Sequence, residues 1–156
     1  MTESRPALDE DSARIVDCLR ELTALNRMVE RHLVAAMDLN ATDLHAMEFL
    51  ARVGTTTPTG LATELGVSTP AATFAVDRLS ARGHVSRQPH PDDRRKTVVA
   101  PSEPALAEVA QLLTPLTRGL AAHLAGMSTA DRRVVRDFLD GVLEVYRSAD
   151  QAWRTV

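Results

Sequence analysis

Positive charge in this sequence is concentrated in one segment, from Arg78 to Lys96. Six basic side chains lie there against two aspartates, a net charge of +4, so within a total of −3 the remaining residues carry −7. Basic side chains that neutralise phosphates give affinity for nucleic acid by releasing counterions. The acidic remainder discourages polyanions from binding elsewhere. The chemistry that this distribution indicates is phosphate binding along a nucleic acid.

Other chemistries find little support in the sequence. It contains no Gly-x-Ser-x-Gly, no glycine-rich phosphate loop, and no paired cysteines or His-x-x-x-His spacing. We therefore expect no enzyme, no catalytic residue, no cofactor and no bound metal. His32, His45 and His123 leave a metal-sensing regulator open as an alternative, although their spacing does not require a site. A helical protein-interaction adaptor that docks through the basic segment is another alternative.

Length and composition predict one domain over residues 1–156, because 44% hydrophobic residues can build a core without metal or disulfide. The single cysteine, Cys18, cannot form an internal disulfide, and no apolar run near the N-terminus is long enough for a signal peptide or membrane span. These features predict a cytoplasmic protein with no membrane partner. Ile15 and Leu19 near Cys18 favour an inert thiol, and a redox-sensing regulator stays open.

Local signals predict a pair of short helices joined by a tight turn ahead of most of the basic residues. Thr57 is the expected N-cap of the first, with Pro58 at its first position, where the missing N–H costs nothing. This helix runs to Leu65, and Gly66 suits the positive φ needed just past a helix end. Together these signals predict the first half of a helix-turn-helix, with Leu61, Leu65 and Val67 facing inward.

The second helix of the pair is expected over roughly residues 70–82, with Ser68 or Thr69 as its N-cap. Its inward face is predicted to hold Ala72, Val76 and Leu79. Its outward positions near the N-terminus, which a helix-turn-helix offers to the major groove, are then Thr69, Ala71, Thr73 and Phe74.

After Gly83, short β-prone runs at 84–87 and 97–99 flank a turn-rich, charged connection, which predicts a hairpin. Residues 57–100 thus read as a helix-turn-helix with a wing, inside a mainly α fold.

Amphipathic helices are predicted on both sides of this module. A long one spans 10–37, residues 40–43 supply a stop and a new N-cap for a second that ends near Gly54, and two more occupy 103–153. Pro115 should remove one hydrogen bond and kink or split its helix near residue 112. The apolar stripes of the first and last helices are too long for one small module, which predicts a homodimer through 10–37 and 103–153.

The order of these elements resembles the MarR family of winged-helix transcriptional regulators. The resemblance covers nearly the whole chain and is most specific at residues 77–79, Gly83, Arg87 and the wing signature at 93–95. It implies a sequence-specific DNA-binding regulator that acts as a dimer on a pseudo-palindromic operator of double-stranded DNA. It also implies a ligand-responsive repressor, with small aromatic or phenolic effectors bound between the dimerisation and DNA-binding parts.

The resemblance implies roles for the wing residues as well. Arg95 would enter the minor groove, where narrow A·T-rich DNA has enhanced negative potential. Asp93 would orient that guanidinium through a charge-assisted hydrogen bond, while Arg94 and Lys96 contact phosphates.

The recognition helix departs from the family pattern, since Phe74 and Thr69 stand where polar or basic side chains are frequent. Specificity is therefore expected to depend more on the wing and on DNA shape. His45, on the second helix, is the candidate effector contact. The full set of candidate DNA-binding residues is Ser68, Thr69, Ala71, Thr73, Phe74, Arg78, Arg87, Arg94, Arg95 and Lys96.

Overall fold

The computed structural model describes residues 8–90, 93 and 96–154. This part of the chain contains six helices and one antiparallel strand pair: α1 (Glu10–Ala36), α2 (Ala41–Val53), α3 (Pro58–Leu65), α4 (Thr69–Ala81), β1 (Val85–Pro89), β2 (Thr97–Pro101), α5 (Glu103–Ala125) and α6 (Thr129–Arg154). The predicted fold class, mainly α with a small hairpin wing, is confirmed.

By its internal contacts the chain divides into two compact units, Met1–Gln111 and Leu112–Val156. The first unit holds α1 to α4, the hairpin and the start of α5, and the second holds the rest of α5 and α6. The assignment of residues 1–156 to one domain stays a prediction.

The helix boundaries in the first unit follow the local capping signals. The Thr57 hydroxyl accepts a hydrogen bond from the Gly60 N–H at 3.1 Å, and α3 ends at Gly66 with a φ of 64°. Ser68 caps α4 by accepting from the Ala71 N–H at 3.4 Å. Both caps satisfy N–H groups that a helix start leaves without intrahelical partners. The predicted helix-turn-helix over these residues is confirmed.

The core of the first unit lies where α2, α3, α4 and the hairpin pack together. Its largest fully buried apolar side chains are Leu50, Leu61, Val76, Leu79 and Val99. The predicted inward face of α4 is confirmed, since its members Ala72, Val76 and Leu79 are all buried.

The inward prediction for Val67 is wrong, because this side chain is 37% exposed. The chain reverses at Gly66, and the Val67 N–H donates to the Ala62 carbonyl at 3.0 Å. This bond ends α3 and leaves the valine at the surface.

The hairpin is anchored at the start of α3. In its register Arg87 pairs with Val99 and Val85 with Pro101. Val99 also exchanges two backbone hydrogen bonds with Thr56, at 2.7 and 3.1 Å. Thr56 and Val99 thereby form an isolated β-bridge. The wing base is fixed to the helix-turn-helix by backbone bonds on both of its sides.

One helix, α5, continues through Pro115, so the helix is not split there, and the alternative of a kink stays a prediction. The boundary between the two units nevertheless follows Gln111, the residue whose carbonyl Pro115 cannot bond because proline lacks an N–H.

In the second unit, the Ser128 hydroxyl accepts from the Asp131 N–H at 3.1 Å and donates to its carboxylate at 2.6 Å, which begins α6. Among the described helices, none is long and apolar enough to cross a membrane.

Candidate nucleic-acid interface

The N-terminal half of α4 presents a mainly apolar outer surface. Thr69, Ala71 and Phe74 are exposed, with 66% of Phe74 accessible to solvent. Thr73 is only half-exposed, and its hydroxyl donates to the Thr69 carbonyl at 2.9 Å. The exposed Ser68 is the cap at the helix start, where the helix dipole and free N–H groups favour a phosphate. This surface therefore combines a phosphate-binding end with apolar groups one turn further on.

A partly buried ion pair fixes α4 to α2. The Arg78 guanidinium donates from Nη2 to Asp43 Oδ1 at 2.7 Å and from Nε to Oδ2 at 3.3 Å. The Asp43 side chain is fully buried, whereas that of Arg78 is 43% exposed. Hydrogen bonding to this carboxylate raises the pKa of Arg78. Bidentate pairing of this kind sets orientation as well as contact, so Arg78 positions α4 on its support.

A second set of polar contacts joins the α1–α2 junction to the end of α4. Arg82 Nη2 lies 3.1 Å from Asp38 Oδ2, and Asp38 adopts a φ of 50° between the two helices. The buried His84 ring hydrogen-bonds through Nε2 with the Met37 carbonyl at 3.1 Å. The cap of α4 and the residue two positions after it are thereby tied to the segment that precedes α2.

Arg87 of β1 and Asp77 of α4 form an ion pair at the surface. Both side chains are about half exposed, and Asp77 lies one turn beyond Phe74. An unneutralised carboxylate here would repel a polyanion, so this pair makes the outer face of α4 compatible with DNA.

The wing residues Arg94 and Arg95 lie outside the described residues. The exposed Lys96 is placed: its ammonium is 3.8 Å from Asp93 Oδ2, and its N–H donates to the Asp93 carbonyl at 2.9 Å. A depression of about 450 Å³ joins Lys96 and Thr97 to the start of α3 at residues 57–59. Lys96 and a helix N-terminus therefore converge on one spot, an arrangement that suits a backbone phosphate.

A larger cavity of about 640 Å³ opens between α1 and α2, within the first unit. Its volume falls in the range of small-molecule sites. His45, the candidate effector contact, is among its lining residues, which are Glu30, Arg31, Val34, Ala41, Leu44, His45 and Glu48. Burial, and then the charge of Glu30, raise the pKa of Glu48. No sequence pattern marks Glu30 and Glu48 as cavity residues, because they lie on two different helices and meet only in the folded chain.

Glu48→Gln is expected to raise the free energy of unfolding at neutral pH. Because the pKa of Glu48 is raised, the folded chain binds this proton more tightly than the unfolded chain does. Its contribution to stability is therefore lost as pH rises through the ordinary and then the raised pKa. The gain is small, since the side chain is only partly buried and its charge is screened. Urea unfolding at about pH 4 and about pH 7 should show the variants converging at the acid end; a less stable variant at neutral pH would contradict the assignment.

The structure bears on the metal-sensing alternative alone, within the part of the chain that it describes. No group of three or more His, Cys, Asp or Glu side chains there is arranged to hold a metal ion. Cys18 is an exposed free thiol on α1. The sequence did not predict that Asp43 pairs with Arg78. The only local signal at Asp43 is its position near the start of a helix, which says nothing about a partner 35 residues away.

Comparison with known proteins agrees with this arrangement. A sequence model described as MarR family matches residues 37–96. The chain is 30% identical over 114 residues to the HTH-type transcriptional regulator YcgE of Bacillus subtilis, covering 73% of this chain and 74% of that protein. The crystal structure of RV1404 from Mycobacterium tuberculosis matches 90% of this chain and 97% of its own, with 26% identity and a TM-score of 0.63.

A MarR family protein from Bacillus stearothermophilus shares the fold, with a TM-score of 0.65 at 19% identity over 90% of this chain and 99% of that one.

Proposed function

Because the chain belongs to the MarR family of DNA-binding transcriptional regulators, we propose that it is a ligand-responsive repressor, acting as a cytoplasmic homodimer on a pseudo-palindromic operator. The observation that carries the proposal is the ion pair between Arg78 and Asp43. It joins α4, the helix offered to DNA, to α2, the helix that lines the cavity with four of its side chains. A molecule bound in the cavity would contact α2, and a movement of α2 would be transmitted to α4 through this ion pair.

Contact with DNA would use two helix starts and the wing. The exposed half of α4 from Ser68 enters the major groove, while Lys96 and the start of α3 bind phosphate. Arg95, aided by Asp93, enters the adjacent minor groove, and Arg94 binds phosphate. Arg78 holds α4 on α2, and Arg87 neutralises Asp77 on α4. Either arginine contributes further if it contacts a phosphate.

A small aromatic or phenolic effector is the proposed signal. Val34 and Leu44 give the cavity between α1 and α2 an apolar wall, and His45 supplies a polar contact. Binding shifts DNA affinity only if the effector prefers one arrangement of α2 and α4 over another. Asp43 lies on α2 two residues before His45, so a displacement of this helix turn moves the carboxylate that holds α4.

Homodimerisation is supported by apolar side chains that each unit leaves exposed. On α1 they include Leu22 and Met28, and on α6 they include Phe138, Tyr146 and Trp153. A patch of this kind on a monomer marks an interaction surface. A second copy of the chain can cover these apolar side chains, because a two-fold axis places the same surface of each subunit in one interface.

Selection of bound fragments from a genomic DNA pool tests the proposed function. We expect enriched fragments to share an inverted repeat with half-sites about 10 base pairs apart. Native mass spectrometry should show two chains bound to each complete repeat. A matched selection with Phe138→Asp, which charges the apolar stripe of α6, should enrich nothing. One chain per site, or enriched fragments without an inverted repeat, would refute the dimer. Failure to enrich any fragment would instead favour the protein-interaction adaptor.

A further inference from the structure

Phe74 is an exposed aromatic side chain on the face of α4 that the proposed function offers to DNA. It is 66% exposed, although burying a phenylalanine is strongly favourable. Pro70 and Ala71, one turn earlier, are also exposed, so the three form an apolar strip along the outer face. The strip begins at the capped start of the helix, where a phosphate would bind. A ligand of this strip therefore has an apolar group close to a phosphate.

The arginines around this strip are already engaged by carboxylates. Arg78 binds Asp43 through two hydrogen bonds, and Arg87 is paired with Asp77. Arginine or lysine bound to guanine is the commonest specific contact in the major groove. Within α4 itself, Arg78 is the only basic residue, so a contact of this type has no uncommitted donor on the helix. Base readout by α4 is then left to hydroxyl groups such as that of Thr69 and to apolar contact.

The apolar group that the major groove offers is the 5-methyl of thymine, which projects from the base edge. We propose that Phe74 is a specificity-determining residue that packs against one thymine methyl in each operator half-site. The inference rests on the proposed function, since it requires α4 to enter the major groove. Ala71, on the same strip, extends the apolar surface toward the neighbouring base step.

Uracil substitution measures this contact directly, because deoxyuridine keeps every hydrogen bond of thymine and lacks only the methyl. Thymines of a selected operator are replaced one position at a time in both half-sites, and binding is followed by fluorescence anisotropy at one salt concentration. For the wild type we expect one position at which the affinity falls about four-fold per half-site, the factor that burial of one methyl gives.

The variant Phe74→Ala should bind the thymine operator more weakly and lose the uracil effect at that position. Phe74→Leu, which keeps an apolar side chain, should retain part of it. The aromatic ring is exposed, so neither change is expected to alter thermal unfolding, which serves as the folding control. An equal uracil penalty in wild type and Phe74→Ala, or no penalty anywhere, would overturn the role of Phe74 while leaving the regulator intact. Failure of the wild type to select any DNA would overturn both proposals.

Discussion

Replacing Asp43 by alanine is expected to lower the free energy of unfolding by about 3 kcal/mol, the lower end of what breaking a buried ion pair costs. The carboxylate is fully buried and accepts two hydrogen bonds from Arg78. Arg82 Nη1 also lies 3.9 Å from Asp43 Oδ2. Its loss leaves a guanidinium without its partner and a small cavity between α2 and α4. The lower end applies because Arg78 is 43% exposed and regains some hydration.

Thermal unfolding measures this effect, with an expected decrease in Tm of about 10 °C for a chain of this size. Asp17→Ala is the matched control, because Asp17 pairs with Arg20 on an exposed helix face where such pairs contribute little. Asp43→Asn keeps the shape of the side chain but not its charge, so its Tm should lie between those of Asp43→Ala and Asp17→Ala. An Asp43→Ala variant as stable as the control would show that the pair does not support α4.

Arg95→Ala is expected to weaken operator binding about 30-fold, a typical loss for an arginine that reads DNA in a groove. The expectation comes from the wing signature in the sequence, since this residue lies outside the described part of the chain. Its neighbours fit the role: the Lys96 ammonium is placed near Asp93, and the hairpin base is anchored to Thr56.

Fluorescence anisotropy at one salt concentration compares this variant with Arg118→Ala, which removes the same charge from an exposed position of α5. Arg118→Ala should change affinity little. The slope of log affinity against log salt is measured as well, because a decrease of about one would show that Arg95 contacts a phosphate and not the groove. Equal affinities of Arg95→Ala and Arg118→Ala for the operator would contradict the prediction that the wing contacts DNA.

The sequence by itself determined the elements around the DNA-binding surface. Thr57 and Ser68 as caps and Gly66 at a positive φ are decided by side chains within three or four residues, a range that a sequence shows directly. The alternation of buried and exposed positions on α4 follows from helical periodicity in the same way. Pro115 shows the limit of such local rules, because α5 continues through it although one hydrogen bond is missing.

Only the tertiary structure decided which carboxylates pair with Arg78 and Arg87. Arg78 and Arg87 read as free basic residues in the segment of +4, yet each is paired, Arg78 with a carboxylate 35 positions earlier in the chain. Ion pairing depends on distance in space, and no local pattern encodes that distance. Arg78, Arg82 and Arg87 of the positive segment are thus paired with carboxylates of other segments. Contacts of Arg94, Arg95 and Lys96 with DNA stay predictions, and Phe74 is an exposed aromatic side chain on α4.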